Sequence, residues 1–311
     1  MGSPTSTVKT RFLILSDTHG MRFPPDSNPS QQVDVVIHCG DLTTESKLVE
    51  YRSAIQLLND LNAPLKLVIA GNHDFTLDTP VYRQKLAEAS RFIDPAFVIK
   101  EYGNYGEARK LVDEAREAGI YFLDEGTHHF DLDNGASLTV YASPYTPSVG
   151  NWGFQYHPQK YHDFSMGLVD VAVTHGPPLG VLDHSLSGQR AGSESLFAAV
   201  ARARPRIHCF GHIHEGWGAK VVTWRKNVNE SPSHFSDIDH GNSALVENLA
   251  SLERKMPQTR EKCYATSHCA GDENPIVPGN RTLFVNAAIR DTSYNPIQLP
   301  WLVDVELEKA Q

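Results

Sequence analysis

The apolar positions of this chain fall in short runs. Residues 11–16, 33–39, 65–70, 169–174 and 207–210 are each brief enough to be a strand and apolar enough to be covered on both faces. Each run passes directly into polar residues with metal-binding side chains. Between them the spacing becomes helical: Leu48, Ala54, Ile55, Leu58 and Leu61 share one stripe within 44–61, and Leu196, Ala199, Val200 and Ala203 another within 193–204. Strands alternating with amphipathic helices predict a layered α/β architecture. The turn Asp133-Asn134-Gly135 separates two β-prone stretches between Phe130 and Tyr141, which adds a hairpin and makes the sheet system mixed.

Residues 225–280 differ in character, being polar and turn-rich around a short helical stretch at 244–254. Strand character returns at 281–285 and 299–307, so this segment reads as a polar insertion, partly mobile, within a single domain spanning 1–311. Residues 1–9 read as a flexible start.

Composition narrows the function classes. With 40% hydrophobic and 21% charged residues among 311, the chain has the balance of a folded globular enzyme. A net charge of -9 leaves no basic face for a polyanion, so no nucleic-acid partner is expected. Cys39 and Cys209 sit in apolar runs, and Cys263, His268 and Cys269 lack the second ligand pair of a zinc clip, so a reducing compartment is expected. No apolar run approaches ~18 residues, and the first ten residues are too polar for a secretory segment. Gly2 and Ser6 match the loose Met-Gly-x-x-x-Ser acylation pattern, but no polybasic cluster or second lipid signal accompanies it. The expectation is a cytoplasmic protein with no membrane partner, possibly homodimeric.

The strand-end segments carry the candidate chemistry. They are SDTHG with Asp17 and His19, CGD with Asp41, GNHD with Asn72, His73 and Asp74, THG with His175, and GHIH with His212 and His214. Carboxyl ends of neighbouring strands in an α/β sheet converge on one crevice, so residues far apart in sequence meet there. Carboxylates, an amide and imidazoles without a thiolate suit Mn, Fe or Zn. Asp17 and His19, and likewise His212 and His214, are two apart and would point the same way on an extended segment.

The ordered set DTH, GD, GNHD, THG and GHIH, spanning 11–215, resembles the calcineurin-like metallophosphoesterase superfamily. SPYTPSVGNWGFQY, VTHGPPLGVLD and GHIHEGWG resemble, within it, the branch of metallophosphoesterase-domain proteins described from animal brain and from fungi. The resemblance implies a four-layer α/β/β/α sandwich of two mixed β-sheets flanked by helices, with two metal ions at its mouth, manganese first and iron or zinc as alternatives. It implies Asp17, His19 and His214 on one ion, Asn72, His175 and His212 on the other, and Asp41 bridging both. Two cations about 3.5 to 4 Å apart activate a bridging hydroxide for in-line attack on phosphorus. His73 is the expected proton donor to the leaving group, with Asp74 orienting it.

The expected reaction is hydrolysis of phosphate esters, first as a phosphodiesterase on small cyclic-nucleotide-like substrates. A monoesterase acting on protein Ser/Thr or small molecules, and a weakly active metal- and nucleotide-binding scaffold, are the alternatives. Trp152, with Phe154 and Tyr156, would stack a nucleobase and Trp217 would line the same mouth, although each also reads as packing. His184 and Arg190 are candidates to hold a phosphate. His128, His129, His157 and His162 lie outside any motif and read as surface or structural.

Overall fold

The computed structural model describes residues 6–24, 26–255, 261–291, 293, 295 and 298–310. In chain order the elements begin with β1 (Thr7–Leu15), β2 (Val35–His38), α1 (Leu48–Asn59), β3 (Leu65–Val68), α2 (Thr79–Ala89), α3 (Pro95–Tyr102) and α4 (Glu107–Glu114). They continue with β4 (Ile120–Phe122), β5 (Gly126–Asp131), β6 (Ser137–Ser143), β7 (Thr146–Pro147), β8 (Gln155–Tyr156), β9 (Val171–Thr174), α5 (Glu194–Ala203) and β10 (Ile207–Phe210). The last are β11 (Gly218–Trp224), β12 (Ile238–Asn248), α6 (Leu249–Lys255), β13 (Tyr264–Ser267), β14 (Arg281–Asn286) and β15 (Trp301–Glu308).

The strands form two large mixed sheets, ordered β13-β15-β1-β2-β3-β4 and β12-β11-β14-β10-β9-β6-β5. In the first, β1 to β4 run parallel and β15 antiparallel to β1. In the second, β6, β9, β10 and β14 run parallel, while the predicted hairpin of β5 with β6 and the pair β11 and β12 run antiparallel. Successive side chains on a strand point to opposite faces, and both faces here are apolar. Phe12, Ile14 and Ile37 therefore face Val140, Val173 and Cys209 of the other sheet in a shared central core. Leu13, Leu15 and Val36 turn outward against Leu48, Tyr51, Ala54 and Leu58 of α1. Phe210, Val222 and Phe284 turn outward against Leu196, Phe197 and Val200 of α5. The result is the α/β/β/α layering expected from the sequence. The predicted stripes are the buried faces of α1 and α5, and α5 is capped where the pattern begins, with the Ser193 hydroxyl accepting from the Leu196 amide.

Two expectations are corrected here. The start is not flexible up to residue 9: β1 begins at Thr7, which pairs with Glu308, so the polar residues 7–10 are held by β15. Residues 1–5, Gly2 included, lie outside the described residues. Residues 225–280 are not merely a surface insertion, because β12 and β13 close one edge of each sheet. The helical stretch expected at 244–254 is strand as far as Asn248, where main-chain pairing with β11 overrides local helix propensity.

Candidate metal centre

Five strands end at one place. Asp17 and His19 follow β1, Asp41 follows β2, Asn72 and His73 follow β3, His175 follows β9, and His212 and His214 follow β10. Asp17, His19, Asp41 and His212 all have positive φ (57°, 47°, 53° and 66°), a backbone region that non-glycine residues rarely occupy. Strain of this kind persists only where the surroundings over-determine it, and it clusters at functional sites. The surroundings are tight: a methyl group on Gly71 would overlap the Asp41 carboxylate, and one on Gly211 the Asp17 carboxylate.

Three groups of side chains bring their donor atoms within 4.8 Å of one another: Asp17, His19 and His214; His19, Asp41 and His73; and Asp41, His175 and His212. Asp41 lies between the outer two. Its Oδ1 is 3.3 Å from His175 Nε2 and its Oδ2 is 3.8 Å from His19 Nε2. Asn72 Oδ1 joins the second group, 3.0 Å from His175 Nε2, and His214 Nε2 lies 3.3 Å from Asp17 Oδ1. The opposite ring nitrogens are tied to main-chain carbonyls: His19 Nδ1 to Thr43 (2.9 Å), His175 Nδ1 to Cys39 (2.9 Å) and His214 Nδ1 to Asp291 (3.1 Å). A carbonyl accepts only, so each Nδ1 carries the proton and each neutral ring turns a lone pair on Nε2 toward the cluster, as metal-ligating histidines do.

The electrostatics agree. Burial works against ionisation of Asp17, but the hydrogen bond and charge of His214 hold its carboxyl well below the usual range. Asp41 is likewise held low, against burial, by His175 and then His19. Burial alone would depress His175 and His214, yet Asp41 and Asp17 push each up to about 9. His19 and His212, where burial prevails, are pushed down to about 4. Each buried carboxylate thus draws positive charge to its side of the cluster, and hard oxygen and imidazole donors arranged around such points suit divalent cations.

Several sequence-derived roles fall differently. Asp74 does not orient His73. Its buried carboxylate accepts from the amides of Leu42, Thr43 and Gly71 and from the Thr43 hydroxyl, at 2.7–3.1 Å. That clamps the β2 loop to the β3 loop, while burial and the charge of Asp41 push Asp74 up to about 7. His73 is oriented instead by the Thr44 carbonyl, 2.6 Å from Nδ1. Trp217 does not line the mouth: it is buried, stacks on Trp301 at 4.8 Å and donates from Nε1 to the Leu299 carbonyl.

Trp152 does lie at the site, its ring centroid 4.3 Å from that of His73 and its face partly exposed. The Gly153 amide donates to the Asn72 carbonyl and fastens this loop to the GNHD loop. Phe154 and Tyr156 are packing residues, against Tyr145 and against His162. His184 and Arg190 are not among the clustered side chains; they pair with each other across a bridge and line a neighbouring cavity. Sequence reasoning missed Thr43, Thr44, Cys39 and Asp291. Each acts through its carbonyl, which leaves no mark in residue type.

Comparison with known proteins places this geometry. Residues 10–216 match the family described as calcineurin-like phosphoesterase. Metallophosphoesterase domain-containing protein 1 of Homo sapiens is 34% identical over 236 residues, covering 74% of this chain and 68% of that protein. A UPF0046 protein of Caenorhabditis elegans is 30% identical over 236 residues, covering 74% of this chain and 57% of its own length. A purple acid phosphatase from yellow lupin (Lupinus luteus) seeds overlays with a TM-score of 0.36 at 12% identity, over 72% of this chain and 40% of the phosphatase, a likeness too low to add weight. The sequence match over more than half its length, and a donor cluster formed by the matched motifs, show that the chain belongs to the calcineurin-like phosphoesterase family, whose chemistry is metal-dependent hydrolysis of phosphate esters.

Proposed function

We propose that the chain is a phosphodiesterase for small nucleotide-like esters, cyclic nucleotides among them, with two metal ions as cofactors, manganese first and iron or zinc as alternatives. Asp17, His19 and His214 hold one ion, Asn72, His175 and His212 the other, and Asp41 gives one carboxylate oxygen to each. Bound there, the ions supply Lewis-acid stabilisation of the phosphoryl oxygens and a water nucleophile at neutral pH. The chain supplies orientation and a proton. Carbonyls of Thr43, Cys39 and Asp291 aim three imidazoles, and Asp74 keeps the β2 and β3 loops in register. With Nδ1 engaged by Thr44, the free Nε2 of His73 is the atom that gives a proton to the departing oxygen.

The observation that carries the diester reading is Trp152. Its partly exposed indole covers His73, so a planar leaving group stacked on it would present its ester oxygen to that imidazole. Four free cysteines, three of them buried, support the cytoplasm as the compartment, and no described helix is long and apolar enough to cross a membrane.

The test is reconstitution of stripped protein with Mn, Fe or Zn separately, followed by hydrolysis of a chromogenic phosphodiester, a chromogenic monoester and 2′,3′- and 3′,5′-cyclic nucleotides. Diester turnover that Asp41→Asn abolishes is expected. Trp152→Ala should raise KM for cyclic nucleotides about tenfold, the scale of one lost base stack. Preference for the monoester would move the assignment to a phosphatase, and stoichiometric metal without turnover to a binding scaffold.

A further inference from the structure

Beside the cluster, on the far side of the loop that carries His214, lies a cavity of about 390 Å³, large enough for a small polar ligand. Leu182, His184, Arg190, Glu215, Lys220 and Leu245 are among its lining residues, and Glu215 directly follows His214. The two loops that frame it are fastened together. Asn286 Nδ2 donates to the carbonyls of Ile213 (2.9 Å) and Leu182 (3.3 Å), and the Leu186 amide donates to Glu215 Oε1 (3.0 Å). Leu182 is held at a φ of 52°, a strained conformation for a leucine.

The charges around the cavity are unevenly satisfied. Arg190 is committed to the buried Asp183 carboxylate, 2.6 Å away. Glu215 accepts from Leu186. Lys220, half-buried on β11, has no hydrogen bond or ion pair among the described residues, and burial followed by the charge of Arg190 pulls its pKa below the usual value. Close by, the ring of His234 packs where a side chain on Gly180 would otherwise go, and its buried Nε2 has no partner. A half-desolvated ammonium without a counter-ion is costly, and an anion in the cavity would offset that cost.

We propose that this cavity is a subsite for a second anionic group of the substrate, a phosphate or comparable oxyanion, with Lys220 as its principal ligand. This rests on the nucleotide-like reading above and narrows it: the favoured ester carries another charged group on its far side. Arg190, already neutralised by Asp183, positions the 182–190 loop and supplies a secondary donor.

The experiment is isothermal titration of the metal-loaded full chain with thymidine 3′,5′-bisphosphate and with thymidine 5′-monophosphate. About tenfold tighter binding of the bisphosphate is expected, the scale of one charge-assisted contact. Lys220→Met should erase that preference and Lys220→Arg should keep most of it, with thermal melting confirming that both fold. Equal affinities in the unsubstituted chain, or a preference that survives Lys220→Met, would overturn the subsite. The titration reads binding alone, so failure to hydrolyse a chromogenic diester would sink the phosphodiesterase reading and not this one.

Discussion

Histidine does two different jobs in this chain, separated by whether a carboxylate faces the ring. His175 and His214 meet Asp41 and Asp17 and stay basic despite burial. His208 on β10 is fully buried with Thr174 Oγ1 at 2.9 Å and no carboxylate, so burial pushes its pKa down to about 3. Its ordinary value is about 6.5. Between those limits the unfolded chain takes up a proton that the folded chain does not. The neutral ring's contribution is therefore fully present above about pH 6.5 and is lost as pH falls, by about 1.4 kcal/mol for each pH unit. Urea denaturation at about pH 7 and about pH 5 measures this, and His208→Gln should make the loss on acidification shallower. Identical pH dependence in the two proteins would mean that His208 is protonated in place.

Local pattern identifies the centres of elements better than their ends. The cores of β1, β2, β3, β9 and β10 were legible because an apolar run bounded by polar motif residues has few other solutions. The first turns of β1 were not. Residues 7–10 are polar apart from Val8, and what makes them strand is a ladder to residues 305–308 at the other end of the chain. The same applies to β12, where pairing with β11 outweighs the helical spacing. A chain lacking residues 1–10 would strip four ladder partners from β15 and expose its edge. At about 0.5–1.5 kcal/mol net for each hydrogen bond lost, destabilisation of roughly 2–4 kcal/mol is expected, read as a melting temperature several degrees lower. An unchanged melting temperature would restore the flexible reading of this segment.

The cluster is also where the two sheets are joined. Asp17, His19, Asp41 and Asn72 come from loops of the first sheet, and His175, His212 and His214 from loops of the second. Ions held across that seam would bind the folded chain and not the unfolded one, so saturation far above Kd should stabilise the protein by about 4 kcal/mol. Manganese should accordingly raise the melting temperature by roughly 10 °C, chelation should reverse it, and Asp41→Asn should abolish the response. A stripped protein that melts at the same temperature as the loaded one would remove metals from the account of the seam. The donor residues and their grouping were readable along the chain because each belongs to a short motif at a strand end, where residue type and spacing carry the chemistry. The carbonyls that aim the imidazoles, the duty of Asp74 and the choice of Trp152 over Trp217 at the mouth were not. Carbonyl groups are common to every residue, and whether an indole meets solvent or Trp301 depends on a partner 84 positions away that only folding brings near.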